Sequence, residues 1–259
     1  MAFGAVAMTG CSKSNDGAAA TARPALTVGS DIYPPYNYLD ENGEPTGIDV
    51  EIVREACSRI GYDADFTYIV WEDKDTLLES GQIDIAAGCF SMTGREDLYT
   101  WVGPYATSNQ SVAVSPESDI YTLADLKDKV VVVQTTTKPE TMFLKQTNPN
   151  VGEVHSVFCL EDRSLIFPLL GKGYVDAIAA HEESIKQYME DYGVEYRIID
   201  EPLQTVSLGY AMAKDGPADI AKKLDEALSQ MHADGTLLSI YSKYISNAEK
   251  YLGVDASDC

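Results

Sequence analysis

The residues best suited to binding a small ligand lie in one short segment, Gly88–Arg95, whose sequence is Gly-Cys-Phe-Ser-Met-Thr-Gly-Arg. Ser91 and Thr93 carry hydroxyl groups, and Arg95 carries a planar set of N–H donors that matches a carboxylate or a phosphate. The same residues are also compatible with a surface loop whose arginine pairs with one of the chain's many acids. The segment alone leaves both interpretations open.

The element in front of this segment favours the binding interpretation. The apolar run Ile83–Ala87 follows Gly81 and predicts a short buried strand. In open α/β sheets, ligands bind at the carboxyl ends of strands, where loops converge. The predicted strand would therefore present the Gly88–Arg95 segment at a ligand-binding edge of a sheet.

The same arrangement occurs a second time along the chain. Residues 78–87 are echoed by residues 170–180, and the second copy continues into His181 and Glu182. Three pairs match at one fixed offset: Gly81 with Gly173, Ile83 with Val175, and Asp84 with Asp176. Two equivalent helix–glycine–strand units predict two lobes of similar construction, with one cleft between them.

Two further segments carry side chains suited to a cleft. Tyr33-Pro34-Pro35-Tyr36 follows a predicted first strand, and its rings could form the wall of a pocket or could simply pack in a rigid loop. A β-branched run at 130–133 predicts another buried strand, after which Thr135 and Thr136 could reach a ligand.

The remaining pattern predicts the elements that hold these segments. The main predictions are a helix from Asp49 to Ile60 with Asp49 as its N-cap, a strand at Ser111–Val114, a capping box of Thr137 and Glu140, a helix from Thr236 to Ile245, and a polar mobile tail from Lys250. Trp71, at the end of a predicted strand, is compatible with either a cleft wall or the core.

The composition excludes some classes of function. The formal net charge of the chain is −22, which argues against nucleic-acid binding because that requires a basic surface. None of Cys57, Cys89, Cys159 and Cys259 has the CxxC or His-paired spacing of a metal site, and their disulfide pairing cannot be read from the sequence. We expect no metal and no cofactor.

The first residues are typical of a lipoprotein signal. Met8-Thr9-Gly10-Cys11 matches a lipobox with Cys11 as the lipidated residue, although a basic segment in front of it is missing. A polar linker, Ser12–Pro24, follows directly. These features predict an extracytoplasmic protein anchored by lipid to the outer face of the cell membrane.

Taken together, the motifs resemble those of bacterial extracellular solute-binding proteins of family 3, the amino-acid-binding components of ABC importers. The resemblance extends from Leu26 to Ile245. It depends on the order and spacing of seven motifs: residues 33–36, 47–49, 81–84, 91–95, 103–105, 134–137 and 173–177. It implies a two-lobed α/β fold of the periplasmic-binding-protein type II class, with a hinged cleft between the lobes.

The resemblance also implies boundaries and partners. Residues 1–25 would be the signal remnant and linker, residues 26–109 with 209–259 the first lobe, and residues 110–208 the second lobe. The implied function is capture of an amino acid or related small carboxylate for an ABC permease, without catalysis and as a monomer. A cyclohexadienyl-dehydratase-like enzyme on the same scaffold is the alternative, with Glu182 as the general acid.

Site roles follow from the same resemblance. Arg95 would hold the ligand carboxylate, with hydrogen bonds from Ser91 and Thr93, and with Thr135 or Thr136 reaching in from the second lobe. The pocket would further include Tyr33, Tyr36, Trp71, Phe90, His181 and Glu182.

Two positions depart from the family pattern. One residue, Gly94, lies between Thr93 and Arg95, whereas two residues usually lie between the corresponding threonine and arginine in the family. The aspartate that pairs with the ligand ammonium in the family falls on His181, and an imidazole is a poor partner for a cation. Either Glu182 or another acid replaces it, or the ligand is not an ordinary α-amino acid, or His181 is structural.

Overall fold

The computed structural model describes Met1 and residues 23–253, so Cys11 and Cys259 lie outside the described residues. The described residues form both helices and strands. The strands are β1 Ala25–Ser30, β2 Tyr38–Leu39, β3 Pro45–Thr46, β4 Asp63–Tyr68, β5 Ile85–Ala86, β6 Thr100–Val114, β7 Val130–Gln134, β8 Ser156–Leu160, β9 Ala177–His181, β10 Arg197–Ile198 and β11 Gln204–Met212. The α-helices are α1 Ile48–Arg59, α2 Lys74–Glu79, α3 Lys138–Lys145, α4 Ile166–Gly171, α5 Glu182–Tyr192, α6 Ala218–Ala233, α7 Thr236–Tyr241 and α8 Glu249–Leu252. Within residues 23–253, short 3₁₀ helices lie at Trp71–Asp73, Leu123–Leu126 and Arg163–Leu165.

One curled sheet connects most of the strands, in the order β4-β1-β5-β11-β6-β9-β7-β8, with β10 paired to β6. The long antiparallel pair β6 and β11 forms its centre. The first part of β6 pairs with β11, from Thr100 opposite Met212, and its last part pairs with β9, from Gln110 opposite His181. These two strands therefore cross from one half of the sheet to the other.

The buried apolar residues divide between the two halves, which gives the molecule two lobes. The main cluster of the first lobe packs α1, α6 and α7 on one face of β1, and it includes Val28, Ile52, Leu224 and Tyr241. The clusters of the second lobe pack on β7 and β9, and they include Val131, Phe143, Ile178 and Phe167. The two-lobed α/β architecture expected from the resemblance is confirmed.

The two echoed units have matching backbone conformations and matching contacts. Gly81 and Gly173 both adopt left-handed backbone angles, with φ of 70° and 69°. The carboxylate of Asp84 accepts a hydrogen bond from the backbone N–H of Thr27 at 2.8 Å, at the start of β1. The carboxylate of Asp176 accepts the corresponding bond from Val130 at 2.7 Å, at the start of β7.

Several local predictions are corrected by the structure. The N-cap of α1 is Gly47, and Asp49 lies inside the first turn with its side chain fully buried. The predicted strand 111–114 is the last part of the 15-residue β6, which passes Pro104 at an irregularity in its pairing with β11. Thr137 forms no capping box, because its hydroxyl donates to the carbonyl oxygen of Gln134 at 2.6 Å.

The C-terminal part also differs from the prediction. The helix predicted from Thr236 to Ile245 ends at Tyr241. Residues 249–252, predicted as part of a polar mobile tail, form α8, whose Leu252 is buried against the core of the first lobe. Within residues 23–253, no helix is long and apolar enough to cross a membrane.

Candidate functional site

The loop after β5 is held in place by a buried carboxylate. Asp49 accepts hydrogen bonds from the backbone N–H groups of Gly88 at 3.0 Å and Cys89 at 2.6 Å. It also accepts bonds from the hydroxyls of Tyr105 at 2.6 Å and Tyr210 at 3.2 Å. Burial raises the pKa of Asp49, while these four hydrogen bonds act to lower it. Asp49 therefore fixes the start of the Gly88–Arg95 loop on the body of the first lobe.

Arg95 reaches from this loop across the cleft. Its Nη2 donates to the carbonyl oxygen of Thr136, in the second lobe, at 3.0 Å, and its Nη1 lies 3.4 Å from the carbonyl oxygen of Ser91. The guanidinium carbon lies 5.3 Å from the centre of the Phe90 ring. Burial lowers the pKa of Arg95, but an arginine remains charged under all ordinary conditions. A guanidinium with N–H groups left over is therefore available in the cleft.

A second cation lies beside Arg95. Lys74 is buried, with 2% of its surface exposed, and its Nζ donates to the hydroxyl of Thr136 at 3.1 Å. The same Nζ lies 5.3 Å from the centre of the Trp71 ring and 5.9 Å from that of Phe90. Burial lowers the pKa of Lys74. Trp71 and Phe90, whose rings pack edge to face at 4.9 Å, thus border the cationic end of the cleft.

The side of the cleft formed by the second lobe is built by the turn after β7. Thr136 adopts a left-handed conformation with φ of 57°, and its N–H donates to the carboxylate of Glu140 at 2.8 Å. The N–H of Thr135 donates to the carbonyl oxygen of Leu160 at 3.0 Å. The buried Thr135 hydroxyl has no hydrogen-bond partner among the described residues.

His181 lies at the centre of the cleft as a neutral imidazole. Its Nδ1 is 2.8 Å from the hydroxyl of Ser108, and its Nε2 is 2.7 Å from Nε2 of Gln110 and 3.4 Å from the hydroxyl of Ser91. Burial, together with the positive charges of Arg163 and Arg95, lowers the pKa of His181 to about 3. At neutral pH the position offers neither a positive nor a negative charge.

Tyr33 connects this centre to a third cation. Its hydroxyl oxygen accepts a hydrogen bond from the backbone N–H of His181 at 3.0 Å. The guanidinium of Arg163 stacks on the Tyr33 ring at 3.4 Å, and its Nε donates to Asp31 at 3.0 Å. Asp31 belongs to the first lobe and Arg163 to the second, so this ion pair also crosses the cleft.

Some of the predicted residues line one cavity and others do not. The cavity lies between the lobes, has a volume of about 30 Å³, and is lined by Tyr33, Trp71, Phe90, Ser91, Arg95 and His181 among the predicted residues. Tyr36, Thr93, Thr135, Thr136 and Glu182 lie outside this lining. Tyr36 packs in the core of the first lobe, and the hydroxyl of Thr93 accepts a bond from the N–H of Ser207 at 2.9 Å.

Sequence reasoning missed several residues of the cleft. Gln110, Gln134, Lys138 and Arg163 line the cavity together with the predicted residues. Gln110 lies in the last part of β6, and Arg163 lies in a short 3₁₀ helix. The position of Gln134 at the carboxyl end of β7 is a signal that could have predicted its place in the cleft, because the prediction for the neighbouring Thr135 depends on the same strand end.

Comparison with known proteins finds similarity to bacterial solute-binding proteins. The family model of the bacterial extracellular solute-binding proteins, family 3, matches residues 26–247. The chain is 27% identical to the amino-acid-binding protein AabA of Dichelobacter nodosus over 82% of this chain and 84% of that protein. It is 28% identical to the L-cystine-binding protein TcyA of Bacillus subtilis (strain 168), over 85% of this chain and 80% of that protein.

A solved structure shows the same architecture. An ancestral arginine-binding protein bound to arginine superposes with a TM-score of 0.77 at 27% sequence identity, covering 86% of this chain and 99% of that one. The family match spans both lobes and both strands that connect them. The chain belongs to the bacterial extracellular solute-binding proteins of family 3.

Proposed function

We propose that the chain captures an amino acid or a related small carboxylate between its lobes and delivers it to the permease of an ABC importer. The observation that carries the proposal is the position of Arg95, which lines the cavity between the lobes and still has N–H groups to offer. A guanidinium in such a partly desolvated position binds a carboxylate through two parallel hydrogen bonds.

The contacts across the cleft support a mechanism of opening and closing. The contacts that join the lobes include Arg95 with Thr136, Lys74 with Thr136, Asp31 with Arg163, and Tyr33 with His181. A cavity of about 30 Å³ holds little more than a water molecule, so the lobes must separate to admit a ligand. We infer that the lobes, 26–109 with 209–259 and 110–208, rotate about β6 and β11, and that ligand binding favours closure.

The individual roles follow from the positions of the residues. Arg95 would hold the carboxylate, with Ser91 adding a hydrogen bond from its hydroxyl. Tyr33, Trp71 and Phe90 would form the wall of the pocket, since all three line the cavity. Thr93, Tyr36, Thr135 and Thr136 would support this arrangement from behind or contact the ligand after a small change in closure. His181, being neutral, would accept or donate a hydrogen bond and would not balance a charge.

The names of the relatives support the class of ligand. TcyA is named for L-cystine, AabA for amino acids, and the solved structure contains arginine. All of these compounds carry a carboxylate, which is the group that Arg95 can recognise. Their side chains differ, so they do not fix the side chain accepted here.

The enzyme alternative has less support. A general acid needs a protonated carboxyl group at neutral pH. Although burial raises the pKa of Glu182, bonds from Lys186 at 2.7 Å and Asn109 at 3.1 Å bring it below its usual value. Glu182 is therefore ionised, and it lies outside the lining of the cavity. We infer a binding protein without catalysis.

An anchor at the membrane remains part of the proposal. The lipobox Met8–Cys11 lies outside the described residues, and its sequence is what supports lipidation of Cys11. Expression of the full chain with a radiolabelled fatty acid should label the protein, and Cys11→Ala should abolish the label. A wild-type protein that takes up no label would contradict the anchor and would leave the ligand site untouched.

The test of capture is a thermal-shift screen of the protein against L-amino acids, amino-acid dimers and plain carboxylates. A ligand at about a hundred times its dissociation constant stabilises a protein by roughly 2.7 kcal/mol, which is easily detected. We expect at least one α-amino acid or small carboxylate to stabilise the protein in this way. The absence of any response from all carboxylates would contradict the proposal, and turnover of a cyclic dicarboxylate would favour the enzyme alternative.

A further inference from the structure

Three polar residues meet across the cleft with much of their hydrogen-bonding capacity unused. Nε of Arg163 donates to Oδ2 of Asp31 at 3.0 Å, and Nε2 of Gln134 donates to the same oxygen at 2.7 Å. An ionised carboxylate only accepts hydrogen bonds, so the contact with Asp31 fixes the orientation of the Gln134 amide. We call Asp31, Gln134 and Arg163 the polar triad.

Two acceptor atoms of the polar triad are buried without a partner. Oδ1 of Asp31 and Oε1 of Gln134 accept no hydrogen bond from any residue of the described part of the chain. Buried acceptors left in this state are destabilising and are uncommon in native proteins, which points to a donor supplied by a ligand. Nη1 and Nη2 of Arg163 likewise donate to no residue within 23–253, although its Nε does.

Two members of the polar triad line the cavity that Arg95 lines, and the third lies beside it. Gln134 and Arg163 both line it. Oδ1 of Asp31 lies 3.8 Å from the position that a Cβ on Gly88 would take, and Gly88 also lines the cavity. Gln134 and Arg163 therefore face the same cavity as Arg95, and Asp31 lies next to Gly88 at its border.

The charge of the polar triad is balanced internally. The side chains of Asp31 and Arg163 are each 12% exposed and neutralise each other, and Arg163 is stacked on Tyr33. A second net charge placed against this neutral pair would lose its hydration without gaining a full partner. A neutral group that both donates and accepts hydrogen bonds suits the unused atoms better.

A carboxamide has this combination of donors and acceptors. Its carbonyl oxygen can accept from the Nη atoms of Arg163, and its NH₂ group can donate to Asp31 Oδ1 and Gln134 Oε1. We propose that the polar triad is a carboxamide subsite, so that the ligand is a carboxylic acid with an amide at its other end, as in an amide-bearing amino acid. This inference rests on the proposed function for the carboxylate end, which Arg95 holds.

The test compares four compounds by calorimetric titration of the full chain. L-Glutamine carries the amide, L-glutamate replaces it by a carboxylate of the same shape, and L-ornithine places an amine where the amide nitrogen lies. Glutaramate keeps the amide and the carboxylate of L-glutamine but lacks the α-ammonium, so it covers the case in which His181 prevents amine binding. We expect L-glutamine or glutaramate to bind at least tenfold more tightly than both L-glutamate and L-ornithine.

Two reciprocal variants examine the charge balance. Asp31→Asn leaves the guanidinium of Arg163 unpaired and should shift the preference towards L-glutamate by at least tenfold. Arg163→Gln leaves the carboxylate of Asp31 unpaired and should shift it towards L-ornithine by a similar factor. Thermal unfolding verifies that each variant is folded. If either variant does not fold, Gln134→Leu is used instead. This variant keeps the ion pair of Asp31 and Arg163, and it should weaken binding of the amide at least fivefold.

The outcomes separate this inference from the proposed function. Binding of L-glutamate or L-ornithine to the wild type as tightly as the amides would overturn the carboxamide subsite while leaving carboxylate capture in place. The same holds if other carboxylates bind and neither amide does. If no carboxylate binds in either experiment, the proposed function fails and the subsite fails with it.

Discussion

The two echoed units agree in construction and differ in chemistry. In both, a glycine with φ near 70° leads into a strand, and an aspartate bonds to the first residues of the neighbouring strand. Beyond the strand, the first unit continues into a loop ending in the charged Arg95, whereas the second ends at the neutral His181. The repeat therefore determines where two strand ends meet, and the residues that follow determine what the cleft can bind.

The largest effect is expected from the first unit. Arg95→Gln removes the positive charge that would hold the ligand carboxylate, and we expect binding of any carboxylate ligand to weaken at least a hundredfold, which is about 2.7 kcal/mol. Stability should change little, because the side chain of Arg95 makes one well-formed hydrogen bond within residues 23–253, to Thr136. Calorimetric titration and thermal unfolding measure the two quantities.

A matched control for Arg95→Gln is Arg54→Gln. Arg54 lies exposed on α1, where its guanidinium carbon lies 5.2 Å from the centre of the Phe66 ring, and it does not line the cavity. Its loss should leave ligand affinity within twofold of the wild type. Equal losses in both variants would show that overall charge, and not the position of Arg95, governs binding.

In the second unit, His181 should contribute to the pH dependence of the unfolding free energy. In the unfolded chain His181 takes up a proton near pH 6.5, while in the folded protein its pKa is about 3. A group whose pKa is lowered on folding binds more protons when unfolded, so its effect is to reduce stability as pH falls below about 6.5. Between pH 7 and pH 5 this amounts to about 2 kcal/mol, from about 1.4 kcal/mol per unit of pH.

Denaturant unfolding of the wild type and His181→Asn at the two pH values isolates this contribution. We expect the variant to lose less stability than the wild type over the interval, by about 2 kcal/mol. The same loss in both proteins would mean that His181 is charged in the folded state.

A carboxylate at position 181 of the second unit should bind the ammonium group of an amino acid whose carboxylate is bound by the first unit. His181→Asp supplies the acid that the family uses to pair with a ligand ammonium. We expect the preferred L-amino acid to gain at least tenfold in affinity over the same compound without its amine. His181→Asn, which has similar size and no charge, is the control. An equal gain in both variants would indicate a change in packing and not ion pairing.

The smallest effects are expected where the units are alike. Asp84→Asn and Asp176→Asn each weaken a charge-assisted hydrogen bond to the backbone, with an expected loss of about 1 kcal/mol in unfolding free energy. The loss should be greater for Asp84, whose bond is partly buried, than for Asp176, whose bond is exposed. Neither variant should change ligand affinity. A large affinity change in one of them would show that the units are not equivalent supports.

Sequence patterns predicted the features that depend on short stretches of chain. The alternation and apolar runs placed β5, β7 and β9, and the fixed offset between the echoed units predicted two lobes. The Gly88–Arg95 loop could be predicted as a candidate ligand-binding segment because it follows the end of a strand. Its ligand contacts, and those of Thr135 and Thr136, stay a prediction.

The missed features depend on contacts between distant residues. Asp49 fits an N-cap by its local sequence, but burial beside Tyr105 and Tyr210 makes it the support of the Gly88–Arg95 loop. Asp31 and Arg163 are separated by 132 residues, so no local pattern connects them. Local rules describe helix ends and strand faces, whereas the pairing of charges across the cleft is decided by the packing of the two lobes.

The central claim is that Arg95 recognises a carboxylate inside the cleft, and a double-mutant cycle on protein and ligand tests it most directly. Wild type and Arg95→Gln are titrated with the best carboxylate from the thermal-shift screen and with its methyl ester, which lacks the negative charge of the carboxylate. The account predicts that the wild type prefers the acid by at least a hundredfold and that the variant binds acid and ester within about fivefold of each other. The same preference for the acid in both proteins would contradict it.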